Sequence, residues 1–97
     1  MTDQDRLTML KVDLGFISDG QTRIDTRLLQ LLKVAEAEII KEGATSLDKN
    51  QIDDAQLIVM YAAWLWRRRD TQDGMPRMVR YQLNNRVFHD KMKVSDS

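Results

Sequence analysis

Few residues in this chain could do chemistry, and they are scattered. Asp48-x-Asn50 supplies the first two oxygen positions of a calcium-binding loop. Such a loop also needs an oxygen at position five, glycine at six and glutamate at twelve. Those positions hold Ile52, Asp53 and Val59, so the stretch reads as a loop running into a helix cap. His89 is the only histidine, and Asp90 is its one local acid, so it reads as a surface side chain. Glu36 and Glu38 stand two apart on a predicted helix and diverge, which rules out a paired acid and base. There is no cysteine, hence no disulfide framework and no thiolate ligand. No glycine-rich phosphate loop or nucleophile motif is present. The residues name no catalytic, cofactor-binding or metal-binding group, and the expectation is a protein that is not an enzyme and uses no cofactor.

What remains is charge and apolar surface. The 97 residues carry no formal net charge, but its sign is unevenly placed. Residues 1–63 have eleven acids and seven bases, and residues 64–93 have three acids and eight bases. That asymmetry serves head-to-tail stacking of subunits or steering toward an acidic partner, or it reflects solvated helix faces of opposite sign. Arg67, Arg68 and Arg69 end a predicted helix, where cations complement the helix dipole. Docking on an acidic protein surface or on DNA phosphates is the other reading of that run.

The elements that position these groups follow from periodicity. Gln56–Arg69 reads QLIVMYAAWLWRRR, apolar on every side from Leu57 to Trp66 apart from one hydroxyl. An all-round apolar helix is surrounded by other elements. This one is too short to cross a bilayer, which takes about 20 apolar residues. It is the expected central helix, residues 50–69, capped by Asn50. Thr2-x-x-Asp5 starts a short first helix over 3–14, carrying Leu7, Leu10 and Leu14 and closed by Gly15. Residues 16–21 form a loop with Asp19-Gly20 as its turn. Helix two runs from Thr22 to about Glu42 and stops at Gly43, with Ile24, Leu28, Leu31, Leu32, Ala35 and Ile39 on one stripe. Leu29 and Ile40 fall off that stripe. They either meet a neighbouring subunit or belong to a wide buried arc. The expected core is Leu28, Leu31, Leu32, Ile58, Trp64 and Leu65.

Residues 70–74 form a turn-rich connection. Pro76 suits the first position of helix four, which continues to about Met92 before a polar, frayed tail from Lys93 to Ser97. Helix four has two apolar faces on a helical wheel. Val79, Leu83 and Val87 make one. Tyr81, Phe88 and Met92, with Met78, make the other. Arg77, Arg80, Asn84 and Lys91 separate them on one side, and Gln82, Arg86 and His89 on the other. An outer helix of a monomer needs one apolar face only, so the second is expected to meet a partner. The expectation is an all-α fold: a single domain over residues 1–97 with about four helices, formed in the cytosol because the first ten residues carry no leader-like apolar region.

Four stretches, in order, carry a family resemblance: LTMLKVDLG (Leu7–Gly15), the helix end at Glu42-Gly43, MYAAWLWRRR (Met60–Arg69) and MPRMVRYQLNNRVF (Met75–Phe88). Together they resemble the head–tail connector, or adaptor, proteins of tailed bacteriophages and prophages, over nearly the whole chain. The resemblance implies a structural virion protein that forms a ring in the neck of the virion after DNA packaging, following the twelvefold symmetry of the portal. It implies the portal protein and a stopper or tail-completion protein as partners, a homo-oligomer on the portal, DNA passing near the lumen and no membrane; weak individual contacts would let a subunit stay monomeric when free. By position, Met75, Arg77, Arg80, Tyr81, Asn84, Asn85, Arg86 and Phe88 would meet the portal or another partner. Leu29, Ile40, Arg67, Arg68 and Arg69 would form the ring interface. The alternative is a small DNA-binding or regulatory adaptor that reads phosphates or bases with Arg77, Arg80 and Arg86.

Overall fold

The computed structural model describes residues 2–15, 22–68 and 74–95. They form four helices: α1 (Asp3–Leu14), α2 (Thr22–Glu42), α3 (Ile52–Arg68) and α4 (Arg77–Ser95). The fold is all-α. No helix among the described residues is long and apolar enough to cross a membrane. Arg69, the Asp19-Gly20 turn and residues 70–73 lie outside the described residues, as do Asp96 and Ser97 at the end of the tail.

The helix ends follow from local chemistry. Thr2 Oγ1 accepts from the Asp5 N–H at 3.1 Å, and Asp5 Oδ2 accepts from the Thr2 N–H at 3.0 Å. This reciprocal capping box satisfies two donors that the first turn would leave bare. At the far end of α1, Gly15 adopts a left-handed conformation with φ 81°. Helix α2 closes with the Gly43 N–H on the Ile40 carbonyl and the Ala44 N–H on the Ile39 carbonyl. That pair of bonds is a Schellman closure. It needs the positive φ of Gly43, at 129°. A Cβ on Gly43 would also stand 2.9 Å from Cγ1 of Val87, so α4 packs on the end of α2 there.

Two boundaries differ from the expected ones. Asn50 does not cap α3. Its N–H donates to Asp48 Oδ1 at 2.9 Å in a side-chain-closed turn, and the helix begins two residues later at Ile52. Pro76 stands just before α4, its carbonyl accepting from the Arg80 N–H at 3.0 Å, and the helix continues past Met92 to Ser95.

Helix α3 packs against α1, α2 and α4, most extensively against α2. Its Ala55, Leu57, Ile58, Val59, Tyr61, Ala62 and Ala63 are buried, which is the all-round apolar run realised over its first three turns. Leu28, Leu31, Leu32, Ala35 and Ile39 of α2 and Leu7 and Leu10 of α1 complete the core, with Val79 and Leu83 of α4. Trp64 and Leu65 are not in its centre. They are half-buried against its edge, together with Trp66. The run gave no sign of which end the other helices cover. Helices α1 and α3 run parallel: Arg6 Nη1 donates to the Lys49 carbonyl at 2.9 Å near their starts, and Arg67 Nη2 donates to the Asp13 carbonyl at 3.2 Å near their ends. Lys11 and Asp25 join α1 to α2 at 2.7 Å. The chain forms a slab with Cα extents of 48 × 30 × 17 Å. At interaxial distances of about 8–10 Å that thickness holds two helix layers, so outer helices keep a side facing out.

Candidate functional site

Helix α4 presents the two faces its periodicity predicts. Val79 and Leu83 are buried and Val87 is half-buried on the inner side. On the outer side Met78, Tyr81 and Phe88 are 61%, 65% and 63% exposed, and Met92 is exposed as well. Positions 78, 81, 85, 88 and 92 alternate by three and four, which places them on one stripe. Asn85, exposed, is the polar member in the middle of it. Large apolar side chains gathered along one exposed stripe mark an interaction surface, whereas single ones would not.

The charge that α4 itself sets beside the stripe is basic, while Asp53 of α3 lines the groove next to Tyr81 and Asn85. Arg77, Arg80 and Lys91 are exposed beside the stripe, with Asn84 and His89. Within Arg77–Met92 the one acid is Asp90, which is buried at 4% exposure on the inner side. The outer surface of α4 is therefore an apolar ridge flanked by the helix's own bases, with one acid of α3 at its side.

Arg86 leaves that surface. Sequence placed it with the partner-binding residues, and the structure corrects this. Its side chain is 17% exposed and turns inward. Nε donates to Asp54 Oδ1 at 2.8 Å, Nη1 to Asp90 Oδ1 at 2.5 Å and Nη2 to the Ser46 carbonyl at 3.0 Å. Asp90 Oδ2 accepts from the Ser46 N–H at 2.9 Å, and Asp54 Oδ2 accepts from the Asp48 N–H at 2.9 Å. One guanidinium thus binds α4 to the α2–α3 loop and to the first turn of α3. The planar fork of arginine suits this multiple bridging, which a lysine amine could not reproduce. Hydrogen bonding to Asp54 raises the pKa of Arg86, burial opposes the rise, and Asp90 adds to it. Burial pushes the Asp90 acid upward, but the Ser46 hydroxyl and N–H and then Arg86 outweigh it and bring it down to about 2.

Other expected contact residues are also used internally. Met75 is half-buried against the core. Leu29 is half-buried against the core too, so α2 buries a wide arc. Arg67 bonds to α1, and the Arg68 guanidinium stands 5.1 Å from the Trp64 ring centroid, stacked as a cation on its face. Of the expected ring residues, Ile40 keeps an exposed side chain.

A second apolar surface was not anticipated. Val12 on α1 and Ile52 on α3 are 73% and 60% exposed. Between these helices lies an open groove of about 430 Å³ lined by Met9 and Val12 of α1 and by Gln56, Val59 and Met60 of α3, with Ile52 outside it. The signal was present in the sequence: at 100° per residue Val12 falls opposite the Leu7–Leu10–Leu14 stripe. Compared with family models, with curated proteins and with solved structures, the chain matches none of them.

Proposed function

We propose that this chain is a structural assembly subunit, a ring-forming head–tail connector that docks beneath a capsid portal, extends the DNA channel and receives a stopper or tail protein. The observation that carries the reading is the uncovered apolar stripe of α4, Met78, Tyr81 and Phe88, on a helix whose opposite face already fills the core. A lone soluble subunit gains nothing from that stripe, while a subunit in an assembly buries it. The ordered sequence resemblance supplies the kind of assembly. Many identical modest contacts become strong once subunits sit on a symmetric template, so tight binding by one subunit is unnecessary.

The test is incorporation. Tyr81→Ala with Phe88→Ala leaves a folded protein, because both side chains are exposed, and abolishes its addition to portal rings. A second reading, binding to DNA by the basic flanks, draws on Arg77, Arg80 and Lys91. The apolar ridge between them and the internal use of Arg86 weigh against it. A gel shift at low salt that vanishes steeply with added salt would favour DNA.

A further inference from the structure

Between α2 and α3 runs a groove of about 570 Å³ that the assembly reading does not use. Its floor is aliphatic: Leu31 and Val34 of α2 and Leu65 of α3. Arg27, Gln30 and Lys33 of α2 and Arg68 of α3 also line it, and all four are exposed. No acid lines it among the described residues. Arg27, Lys33 and Arg68 enter no ion pair among those residues either. The Arg68 guanidinium is steadied over the Trp64 ring. Such stacking leaves the in-plane N–H groups of an arginine available to a carboxylate. Burial raises the pKa of Tyr61, and Glu38 and Glu42 of α2 add to the rise, so these acids lie beside α3 about two turns before Arg68. The groove is therefore at the basic end of the α2–α3 pair, where α2 starts and α3 finishes.

We propose that this groove takes an acidic amphipathic helix of a second protein, its aliphatic side chains on Leu31, Val34 and Leu65 and its carboxylates on Arg27, Lys33 and Arg68. The length fits. Arg27, Gln30, Leu31 and Val34 are spaced by three and four and make one stripe of α2. They span seven residues, about 10 Å at 1.5 Å per residue. A docked helix of equal length has two turns, enough for anchors at i, i+3 or i+4, and i+7. Charge selects the occupant, because three unpaired bases around an apolar floor are complementary to carboxylates around an apolar stripe. Nucleic-acid phosphates would satisfy the bases and waste the floor, which has no aromatic side chain for a base to stack on. A second copy of the chain would bring its α4 stripe, whose own neighbours Arg77, Arg80 and Lys91 would set bases against bases. Docking of such a helix needs no portal, so it stands apart from the connector reading.

The experiment pans a displayed library of short helical peptides against the full chain, then measures the selected peptide by fluorescence anisotropy. The expected consensus has Leu, Ile or Phe on one stripe and Asp or Glu beside it. Binding is expected to weaken with added salt, which screens exposed charges. Arg27→Glu and Val34→Asp are each expected to weaken it by about tenfold or more. Both positions are exposed, and unchanged thermal unfolding shows that both variants fold. Val12→Arg, in the α1–α3 groove, is expected to bind as wild type does. The proposal is overturned if no peptide is enriched, if the consensus is basic or uncharged, or if either groove substitution leaves binding unchanged. It is overturned as well if wild type self-associates through this face, or if a DNA duplex or a phosphatidylserine vesicle binds there, each recognised by its loss in Val34→Asp.

Discussion

Arg86 on α4 and Asp54 on α3, 32 residues apart in sequence, meet at 2.8 Å between Nε and Oδ1. The pair fixes how α4 lies on the subunit and therefore which of its faces looks outward. Without it the inner face would rest on Val79 and Leu83 and the close approach of Val87 to Gly43.

Removing one partner of a largely buried ion pair leaves the other charge stranded and costs about 3–5 kcal/mol. Arg86→Ala is expected to cost about 3 kcal/mol, at the low end of that range, because the side chain retains 17% exposure. Arg86→Lys is expected to recover only part of the loss. Urea unfolding measures both, and an Arg86→Ala variant as stable as wild type would remove the clamp from the account.

Asp90 makes the clamp sensitive to acid. Its pKa is lowered from an ordinary 3.8 to about 2 in the fold. A depressed acid contributes stability that is complete above the unfolded value and is lost as pH falls through the folded one. Stability is therefore expected to drop as pH falls from about 4 toward 2. Asp90→Asn should be less stable at neutral pH and flatter across that window. Parallel pH profiles for the two proteins would contradict the assignment.

Burial ranks the core differently from side-chain size. Ile58 is 1% exposed, while Trp64 stands at the edge. Ile58→Ala is expected to cost about 2–5 kcal/mol and Trp64→Ala less than that. Chemical denaturation of the two variants settles the order, and a larger loss at Trp64 would contradict its place at the edge of the core.

Gly43 is held by backbone geometry and by space at once. Gly43→Ala is expected to cost about 1–3 kcal/mol for its disfavoured φ, and more if Val87 cannot move. Gly15→Ala, with nothing within 4 Å of a new Cβ, should cost less. Thermal unfolding of the two variants compares them directly. Equal effects would show that the contact with Val87 is immaterial.

Local pattern made most of the fold legible. Thr2, Asp5 and Gly15 bound α1, and Gly43 closes α2, because caps act within a few residues. The double face of α4 was legible from periodicity alone. Arg86 was not: its pairing with Asp90 lies on the helix, but Asp54 and Ser46 lie 32 and 40 residues away and a helical wheel carries no information about distant loops. Trp64 was misplaced for a related reason: an apolar run states that burial is available, not which turn receives it. Val12 was not legible because a single valine on a polar helix face is unremarkable until Val59 and Met60 stand across from it.

The most direct measurement of the central claim is electron microscopy of the protein mixed with its portal, wild type beside Tyr81→Ala/Phe88→Ala. A ring of added density beneath the portal for wild type, and none for the folded double variant, is the predicted result. Equal decoration by both proteins, or none by wild type, would contradict it.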